Sequence, residues 1–354
     1  MTLFVFNPEH DLCMANGDPN FVPPQSALQF ADDCCELMQW LGGVSDVCVP
    51  ANRVGEALLL NPMIDRIEPW GWDMTLAQQL RKQHVPEELI LGQSGIGSVL
   101  WGSHRARAHF AAEYLRDMNR DLGRGVPLSE SCSECSSLDE VEQFVYLHHD
   151  VVLKSVLSGS GQGLRPVRDS LSDNDKGWVR NNLRRHHTVM AERRYDVVEN
   201  FAVLFDVSLH GVYLKGYSLF ETNGFAYQSN LMLSDEEIRT YLSQLIPLDV
   251  LDTVVEDLRF YIERRYCANV PPSYMGVDMF LYRPASDEIE TFAEEHPLVP
   301  VPQYFLNPVV EINFRPTMGL VAHEWLRRCP SNHGKRFYVA SPTADNPHYT
   351  YGVR

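Results

Sequence analysis

The chain has 354 residues, a formal net charge of −17 at pH 7, and a globular composition with 44% apolar and 22% charged residues. A chain of this length is expected to form two or three subdomains, each around a sizeable core. No basic run occurs along it, which argues against binding to a nucleic-acid backbone. A nucleotide remains compatible with this charge, because it needs only a local positive pocket.

The ends and the cysteines point to a cytoplasmic protein with no membrane partner. The N-terminus lacks the basic segment of a signal peptide, and no apolar run is long enough to span a bilayer. The eight cysteines are scattered, and the one close pair, Cys132 and Cys135, has no second pair with which to bind zinc. Reduced surface thiols are therefore the preferred interpretation of that pair.

The first hundred residues alternate strands and helices, which predicts a small parallel sheet. Residues 3–6 and 44–49 are predicted strands, and residues 26–41, 53–60 and 76–82 are predicted helices.

A polar stretch, residues 7–11, follows the first predicted strand. Ligands of open α/β sheets sit at the carboxyl ends of the strands, so this stretch is a candidate substrate-binding loop. An ordinary capped turn is an equally good interpretation.

The middle of the chain predicts a helix followed by a small α+β unit. Residues 103–118 are strongly amphipathic, with Ser103 as the expected N-cap. Helices at 138–148 and 174–185 enclose a short apolar strand, residues 151–154.

That strand ends at Lys154 and leads into a loop made almost wholly of glycine, serine and glutamine. The loop residues are Ser158, Gly159, Ser160, Gly161, Gln162 and Gly163. Backbone N–H groups in such a loop can converge on anionic oxygens, and the lysine adds a point charge. The spacing fits neither a P-loop nor a dinucleotide-binding fingerprint. A mobile, exposed hairpin is the alternative, and the loop alone does not decide between the two.

Two later strands carry polar residues at positions that are otherwise apolar. Residues 275–281 have a single acid, Asp278, at their centre. Glu311 and Asn313 alternate onto one face of the next strand. Such oxygen ligands suit Mg²⁺, whereas the structural alternative is a buried Asp–Arg pair that involves Arg315.

The remaining stretches give coarser predictions. Residues 201–207 and 211–220 alternate like a hairpin, and residues 234–245, 249–266 and 319–328 are predicted helices. The acidic, proline-rich residues 284–307 are expected to form a long loop or flap, and the tail from residue 330 shows no clear pattern.

The ordered set of a lysine, a glycine loop, a hinge glutamate, a strand aspartate and Glu-x-Asn-x-Arg resembles the ATP-grasp superfamily, over roughly residues 103–328. That superfamily includes D-alanine–D-alanine ligase, glutathione synthetase and the biotin carboxylases. The resemblance implies an α/β and α+β multidomain fold, in which two α+β subdomains clasp ATP behind a small parallel α/β domain. It implies a division into an N-terminal domain, a linker helix with the lid, a C-terminal subdomain and a tail, at 1–102, 103–188, 189–330 and 331–354.

The resemblance also implies site residues and ligands. Asp278, Glu311 and Asn313 would bind Mg²⁺ or Mn²⁺, and Arg315 would hold the transferred phosphoryl group. Lys154, Arg105 and the loop from Ser158 to Gly163 would hold the ATP phosphates. The adenine and ribose would be bound by Glu192, backbone groups of Arg193 and Tyr195, and Glu199.

The chain departs from the family pattern at two positions. Gly276 stands where ligases often carry an arginine, and Arg105 or Arg107 replaces the lysine near the start of the linker helix.

The implied function is an ATP-dependent ligase that activates a carboxylate as an acyl phosphate for attack by an amine or a thiol. A small-molecule kinase and a non-catalytic nucleotide-binding protein are the alternatives. The expected partners are small-molecule or peptide carboxylates and amines, without nucleic acid, and a homodimer is compatible with the sequence.

Overall fold

The computed structural model describes residues 1–130, 132–158, 163–266 and 273–354, which form three sheets with flanking helices. The strands are β1 (Thr2–Phe6), β2 (Val47–Pro50), β3 (Arg66–Pro69), β4 (Ser133–Cys135), β5 (Asp150–Lys154), β6 (Leu164–Arg168), β7 (Val189–Arg193), β8 (Asp196–Ser208), β9 (Gly211–Asn223), β10 (Ala226–Leu231), β11 (Tyr274–Arg283), β12 (Phe305–Asn313), β13 (Arg336–Ala340) and β14 (Thr350–Val353). The α-helices are α1 (His10–Asn16), α2 (Gln25–Cys34), α3 (Val54–Leu60), α4 (Met74–Lys82), α5 (Gln93–Ser103), α6 (Ala106–Asp121), α7 (Leu138–His148), α8 (Asp173–His186), α9 (Asp235–Leu242), α10 (Leu248–Tyr266), α11 (Ser286–Glu295) and α12 (Met318–Arg328).

The N-terminal sheet is parallel, with strand order β2-β1-β3. Leu3 and Val5 of β1 are fully buried in one core, and Phe4 and Phe6 are buried in another on the opposite face. The polar stretch after β1 leads into α1, which begins at His10 with Glu9 as its N-cap. His10 and Asp11 therefore lie in the first turn of a helix at the carboxyl end of the central strand.

The small sheet is antiparallel, with strand order β4-β7-β5-β6. Helices α7 and α8 pack on it through a core that includes Val141, Leu153 and Val179. Helix α8 begins with a capping box in which Ser172 and Asp175 satisfy each other's backbone N–H groups. This unit, which we call the lid, presents the end of β5 and the base of the glycine loop.

The large sheet has strand order β12-β11-β8-β9-β10-β13-β14, and its described pairs are antiparallel. Phe201, Val203, Val277 and Met279 lie on one face and share a core with α6, α9 and α10. Because side chains alternate along a strand, Asp278 lies on the other face. The tail that shows no pattern in the sequence adds β13 and β14 to this sheet.

Two predicted elements differ from the structure. Ser103 ends α5 instead of capping the following helix, which begins at Ala106. The stretch 284–307 contains helix α11 and is not a long loop. The helix forms because Phe292 packs in a core with Phe305, while Glu288 accepts a hydrogen bond from the Tyr282 hydroxyl at 2.7 Å.

The predicted α/β and α+β fold is confirmed by this architecture. The lid and one face of the N-terminal sheet have cores of their own, whereas the other face of the N-terminal sheet shares a core with α12 and β13. The division at residues 102, 188 and 330 stays a proposal, with the tail as two added strands of the large sheet. Across the described residues, no helix is both long and apolar enough to cross a membrane.

Gly102 allows α5 to pack against the end of β12. A Cβ atom on Gly102 would lie 2.4 Å from the ring of Phe314, a residue that is only 5% exposed. A Cβ atom on Gly97 of the same helix would meet nothing within 4 Å.

We predict that Gly102→Ala lowers the free energy of unfolding by about 1–3 kcal/mol, because overpacking outweighs the gain in helix propensity. Gly97→Ala is the matched control and should raise stability by roughly 0.5–1 kcal/mol. Urea unfolding monitored by circular dichroism measures both. Equal effects of the two substitutions would show that the α5–β12 contact is not close-packed.

Candidate active site

The three predicted metal ligands lie together on one face of the large sheet. Asp278 of β11 pairs directly with Glu311 of β12, and Gly276 pairs with Asn313. The Asn313 side-chain amide donates to Asp278 at 3.4 Å. Two carboxylates and an amide oxygen therefore meet at neighbouring positions of two paired strands.

The electrostatics of this group favour a proton or a cation. Burial, and then the negative charge of Glu311, raise the pKa of Asp278 to about 7, although Arg315, Asn313 and Arg105 oppose the shift. Two carboxylates held this close cannot both ionise at low cost without positive charge between them. This donor set fits a divalent cation.

The structure shows why glycine, and not the arginine of the family pattern, occupies position 276. A Cβ atom at this position would lie 2.8 Å from Cγ2 of Thr317, the N-cap of α12. An arginine would therefore not fit here without a shift of the start of α12.

Arg105 bridges the lid and the large sheet. Its guanidinium donates to the carbonyls of Ser155 and Ser158 at 2.6 and 3.1 Å, to the Ser158 hydroxyl at 2.5 Å, and to Glu311 at 3.2 Å. Its backbone N–H also donates to the carbonyl of Val156 at 3.0 Å. The residue is only 6% exposed, so these oxygens, and not water, stabilise its positive charge.

The described base of the glycine loop lies beside Arg105. The Ser155 N–H donates to the Gly163 carbonyl at 2.8 Å and closes the base. Gly163 has φ of +69°, and a Cβ atom there would lie 2.7 Å from the Ser158 hydroxyl, so glycine is required. Gly159, Ser160, Gly161 and Gln162 were predicted site residues and lie outside the described residues.

Lys154 and Glu192 form a buried ion pair between β5 and β7. Lys154 Nζ donates to the carboxylate at 2.8 Å, and the two residues are 8% and 9% exposed. The register places Glu192 opposite Val152, two residues from Lys154, so both side chains share a face of the lid sheet. The two predicted residues are therefore in direct contact.

The hinge between β7 and β8 is fixed by side chains. Arg193 makes a two-fold pair with Asp287 of α11 at 2.7 and 2.8 Å, and this hydrogen bonding raises the pKa of the arginine. The ring of Tyr195 packs against those of Phe280 and Tyr282, with centroids 5.6 and 4.4 Å away. Burial raises the pKa of the Tyr195 phenol.

The structure does not bring Glu199 to the other predicted residues. Glu199 pairs with Leu281 and follows the alternation of Phe201, which places its side chain on the helix-covered face, opposite Asp278. It accepts a hydrogen bond from the Tyr241 hydroxyl on α9 at 2.5 Å. We therefore leave Glu199 out of the proposed site.

Arg315 pairs with Asp11, which lies in the candidate substrate-binding stretch at residues 7–11 and was not assigned a role of its own. Its guanidinium donates to both Asp11 oxygens, at 2.9 and 3.4 Å, and to the Pro316 carbonyl at 3.2 Å. Although burial opposes both charges, the pair lowers the pKa of Asp11 and raises the pKa of Arg315. The signal for Asp11 was its place in the polar stretch after the first strand.

A small pocket joins the Asp11–Arg315 pair, the base of the glycine loop and two of the predicted metal ligands. It is lined by residues from α1, the glycine-loop base and β12, among them Asp11, Ser158, Glu311, Asn313 and Arg315. The N-terminal sheet, the lid and the large sheet thus all contribute to one site.

No family model matches the chain, and no curated protein matches it. Many solved structures are similar to it, and three of them serve as examples. N5-carboxyaminoimidazole synthetase from Staphylococcus aureus complexed with ADP is 12% identical, with a TM-score of 0.44 over 92% of this chain and 76% of that one. The biotin carboxylase β,γ-ATP complex from Campylobacter jejuni is 11% identical, with a TM-score of 0.48 over 92% and 67%. N5-carboxyaminoimidazole synthase from Aspergillus clavatus, in complex with ADP and 5-aminoimidazole ribonucleotide, is 12% identical, with a TM-score of 0.45 over 97% and 83%.

The likeness to these proteins is one of fold. The structure contains the three parts that the ATP-grasp resemblance implies, namely a small parallel sheet, an α+β lid and a larger sheet.

We predict that Asp278→Asn changes the pH dependence of stability. The pKa of Asp278 is raised in the folded state, so binding of its proton stabilises the folded protein. This stabilisation is full below about pH 4 and is lost as the pH rises through about 7. Without added divalent cations, the variant should be more stable than the wild type above pH 7, and the difference should shrink towards pH 4.

Melting temperatures measured across this pH range test the prediction. Asp345→Asn, at an exposed position of the tail, is the control and should follow the wild type. A difference for Asp278→Asn that is constant with pH would contradict the interpretation.

Proposed function

We propose that the chain is an ATP-dependent ligase of ATP-grasp type, which activates a carboxylate as an acyl phosphate for attack by an amine or a thiol. The observation that carries the proposal is the convergence of Asp278, Glu311 and Asn313 with Arg105 and the base of the glycine loop. A fold could keep a glycine loop for other reasons, but the paired carboxylates beside it are costly without a cation.

The phosphates would be held from the lid side. Arg105 already contacts both the loop and Glu311, so it is placed to contact a phosphate between them. Lys154 lies one residue before Ser155, to which Arg105 is bonded, and would supply a second cation. Its pair with Glu192 keeps the lysine ordered.

The adenine would lie at the hinge. Glu192 would accept from the exocyclic amino group, and backbone groups of Arg193 and Tyr195 would pair with the ring edge. The Arg193–Asp287 pair and the ring packing of Tyr195 support this, because they hold the hinge backbone in one conformation. Such preorganisation lowers the entropy lost on binding.

Asp278 and Glu311 would hold Mg²⁺ or Mn²⁺, with Asn313 completing the ligand set. No group of three or more His, Cys, Asp or Glu side chains suited to a metal occurs in the part of the chain that the structure describes. Because Asp278, Glu311 and Asn313 would not fill the coordination shell, the proposed site leaves positions for phosphate oxygens and water, as Mg²⁺ prefers. When bound, the cation would neutralise phosphate charge.

The proposed reaction has two steps. A substrate carboxylate oxygen attacks the γ-phosphorus, the β–γ bridging P–O bond breaks, and ADP leaves. The nitrogen or sulfur of the acceptor then attacks the acyl carbon, the C–O bond to phosphate breaks, and the acceptor loses its proton. Arg315 would bind the carboxylate and then the acyl phosphate, which suits a planar cation. The protein's contribution is positioning and charge stabilisation.

We predict that MgATP raises the melting temperature of the wild type and not that of Glu311→Gln. A ligand that binds only the folded state stabilises it by about 2.7 kcal/mol at a hundredfold excess over its dissociation constant. Glu290→Gln, at an exposed position of α11, is the control and should behave as the wild type. Stabilisation of Glu311→Gln equal to that of the wild type would contradict the site. A ligation product that forms only when an amine or thiol is present in addition to the carboxylate then separates a ligase from a kinase.

A second prediction concerns the two hinge-side glutamates. Glu192→Gln should weaken nucleotide binding several-fold, because the lysine pair and the adenine contact are both altered. Glu199→Gln should leave it unchanged, since that side chain lies on the opposite face of the sheet. Titration of a fluorescent ATP analogue measures both. A larger loss for Glu199→Gln would restore the ribose-binding role implied by the family resemblance.

A further inference from the structure

A second cavity, of about 330 Å³, lies between the N-terminal sheet and the large sheet. This volume is at the lower end of the range for small-molecule sites. Residues from β3 and the segment after it form one side, and the start of β11 and the end of β12 form the other. The lining residues that matter here are Arg66, Glu68, Trp70, Trp72, Tyr274 and Arg315.

Arg315 connects this cavity with the proposed reaction site. It lines both the cavity and the small pocket that contains Glu311 and Asn313. A molecule held in the cavity can therefore place one end at the guanidinium, where phosphoryl transfer is proposed to take place.

The walls near Arg315 are aromatic and partly rigid. The guanidinium carbon lies 5.7 Å from the centre of the Trp70 ring. Trp70 is 4% exposed and packs edge-to-face on Phe6, so its position is fixed by the core. Trp72 and Tyr274 are half-buried and complete the walls. Such walls favour a flat ring, because aromatic pairs gain energy beyond the area that they bury.

The charges at the far end of the cavity are already paired. Arg66 donates to Glu68 at 2.6 and 3.0 Å, and Asp65 accepts from the N-terminal amine at 3.0 Å. Glu88 is exposed, so solvent and salt screen its charge. Arg315 is itself paired with Asp11, but the described residues take only three of its five N–H donors. This guanidinium can therefore also donate to a ligand carboxylate.

We propose that the cavity binds the carboxylate substrate, and that this substrate is an aromatic carboxylic acid. Its carboxylate contacts Arg315, and its ring lies among Trp70, Trp72 and Tyr274. The substrate role rests on the proposed ligase function, whereas the binding site stands on the cavity alone.

Three small probes test the proposal by calorimetry or saturation-transfer NMR, in the presence of MgADP. 3-Phenylpropionate should bind, 3-phenylpropanamide should bind at least about tenfold more weakly because it lacks the charge, and hexanoate should bind about three- to tenfold more weakly because it lacks the ring. Equal binding of the amide, tighter or equal binding of hexanoate, or no binding of the aromatic acid at millimolar concentration would overturn the proposal.

Two cavity variants and one control locate the site. Trp72→Ala and Tyr274→Leu should each weaken 3-phenylpropionate several-fold and leave stabilisation by MgATP unchanged. Trp101→Ala, on α5 and outside the cavity lining, is the control and should bind as the wild type. Two variants are used because loss of Trp72 also removes packing, and unchanged binding in both would overturn the assignment.

The two proposals fail in different ways. Stabilisation by MgATP that depends on Glu311, without binding of the aromatic acid, would overturn the cavity proposal alone. Binding of the acid without any effect of MgATP would overturn the ligase function, and with it the substrate role of the cavity.

Discussion

The site depends above all on the buried guanidinium of Arg105. A charge that is 94% removed from solvent is tolerated only where oxygen atoms surround it, and these oxygens come from the lid and from β12. One side chain thus fixes the base of the glycine loop relative to Glu311. The register of β11 and β12 then fixes Asp278 and Asn313 relative to Glu311. The proposed metal contacts, and the phosphate contacts of Arg105 and the loop, follow from this arrangement.

The parallel sheet contributes to the site through a comparable contact. Asp11 lies in the first turn of α1, at the carboxyl end of β1, and pairs with Arg315 just after β12. The Trp70 ring lies beside the same guanidinium. Two arginines therefore join the three units. Arg105 links the lid to β12, and Arg315 links the end of β12 to the N-terminal unit. The proposed reaction point lies where both meet the edge strand of the large sheet.

Local periodicity in the sequence predicted much of the site. It failed for the features that depend on contacts between residues far apart in the chain. The alternation of Glu311 and Asn313, and the position of Lys154 at a strand end, follow from spacing along one strand. The face of Glu199 depends on its register with β11, which the sequence around it does not reveal. The Asp11–Arg315 pair joins residues 304 positions apart, and the helix within residues 284–307 exists because its apolar side packs on the large sheet.

The charges explain why the site would need a cation to bind an anion. With Asp278 ionised, three carboxylates (Asp11, Asp278 and Glu311) face two guanidiniums (Arg105 and Arg315), a local charge of −1, and the Lys154–Glu192 pair is neutral. A divalent cation would change that local charge to +1. An anionic substrate would therefore be repelled before the cation binds and attracted afterwards. The pKa of Asp278 is raised first by burial and then by the negative charge of Glu311, so a proton partly offsets the imbalance that the cation would offset fully.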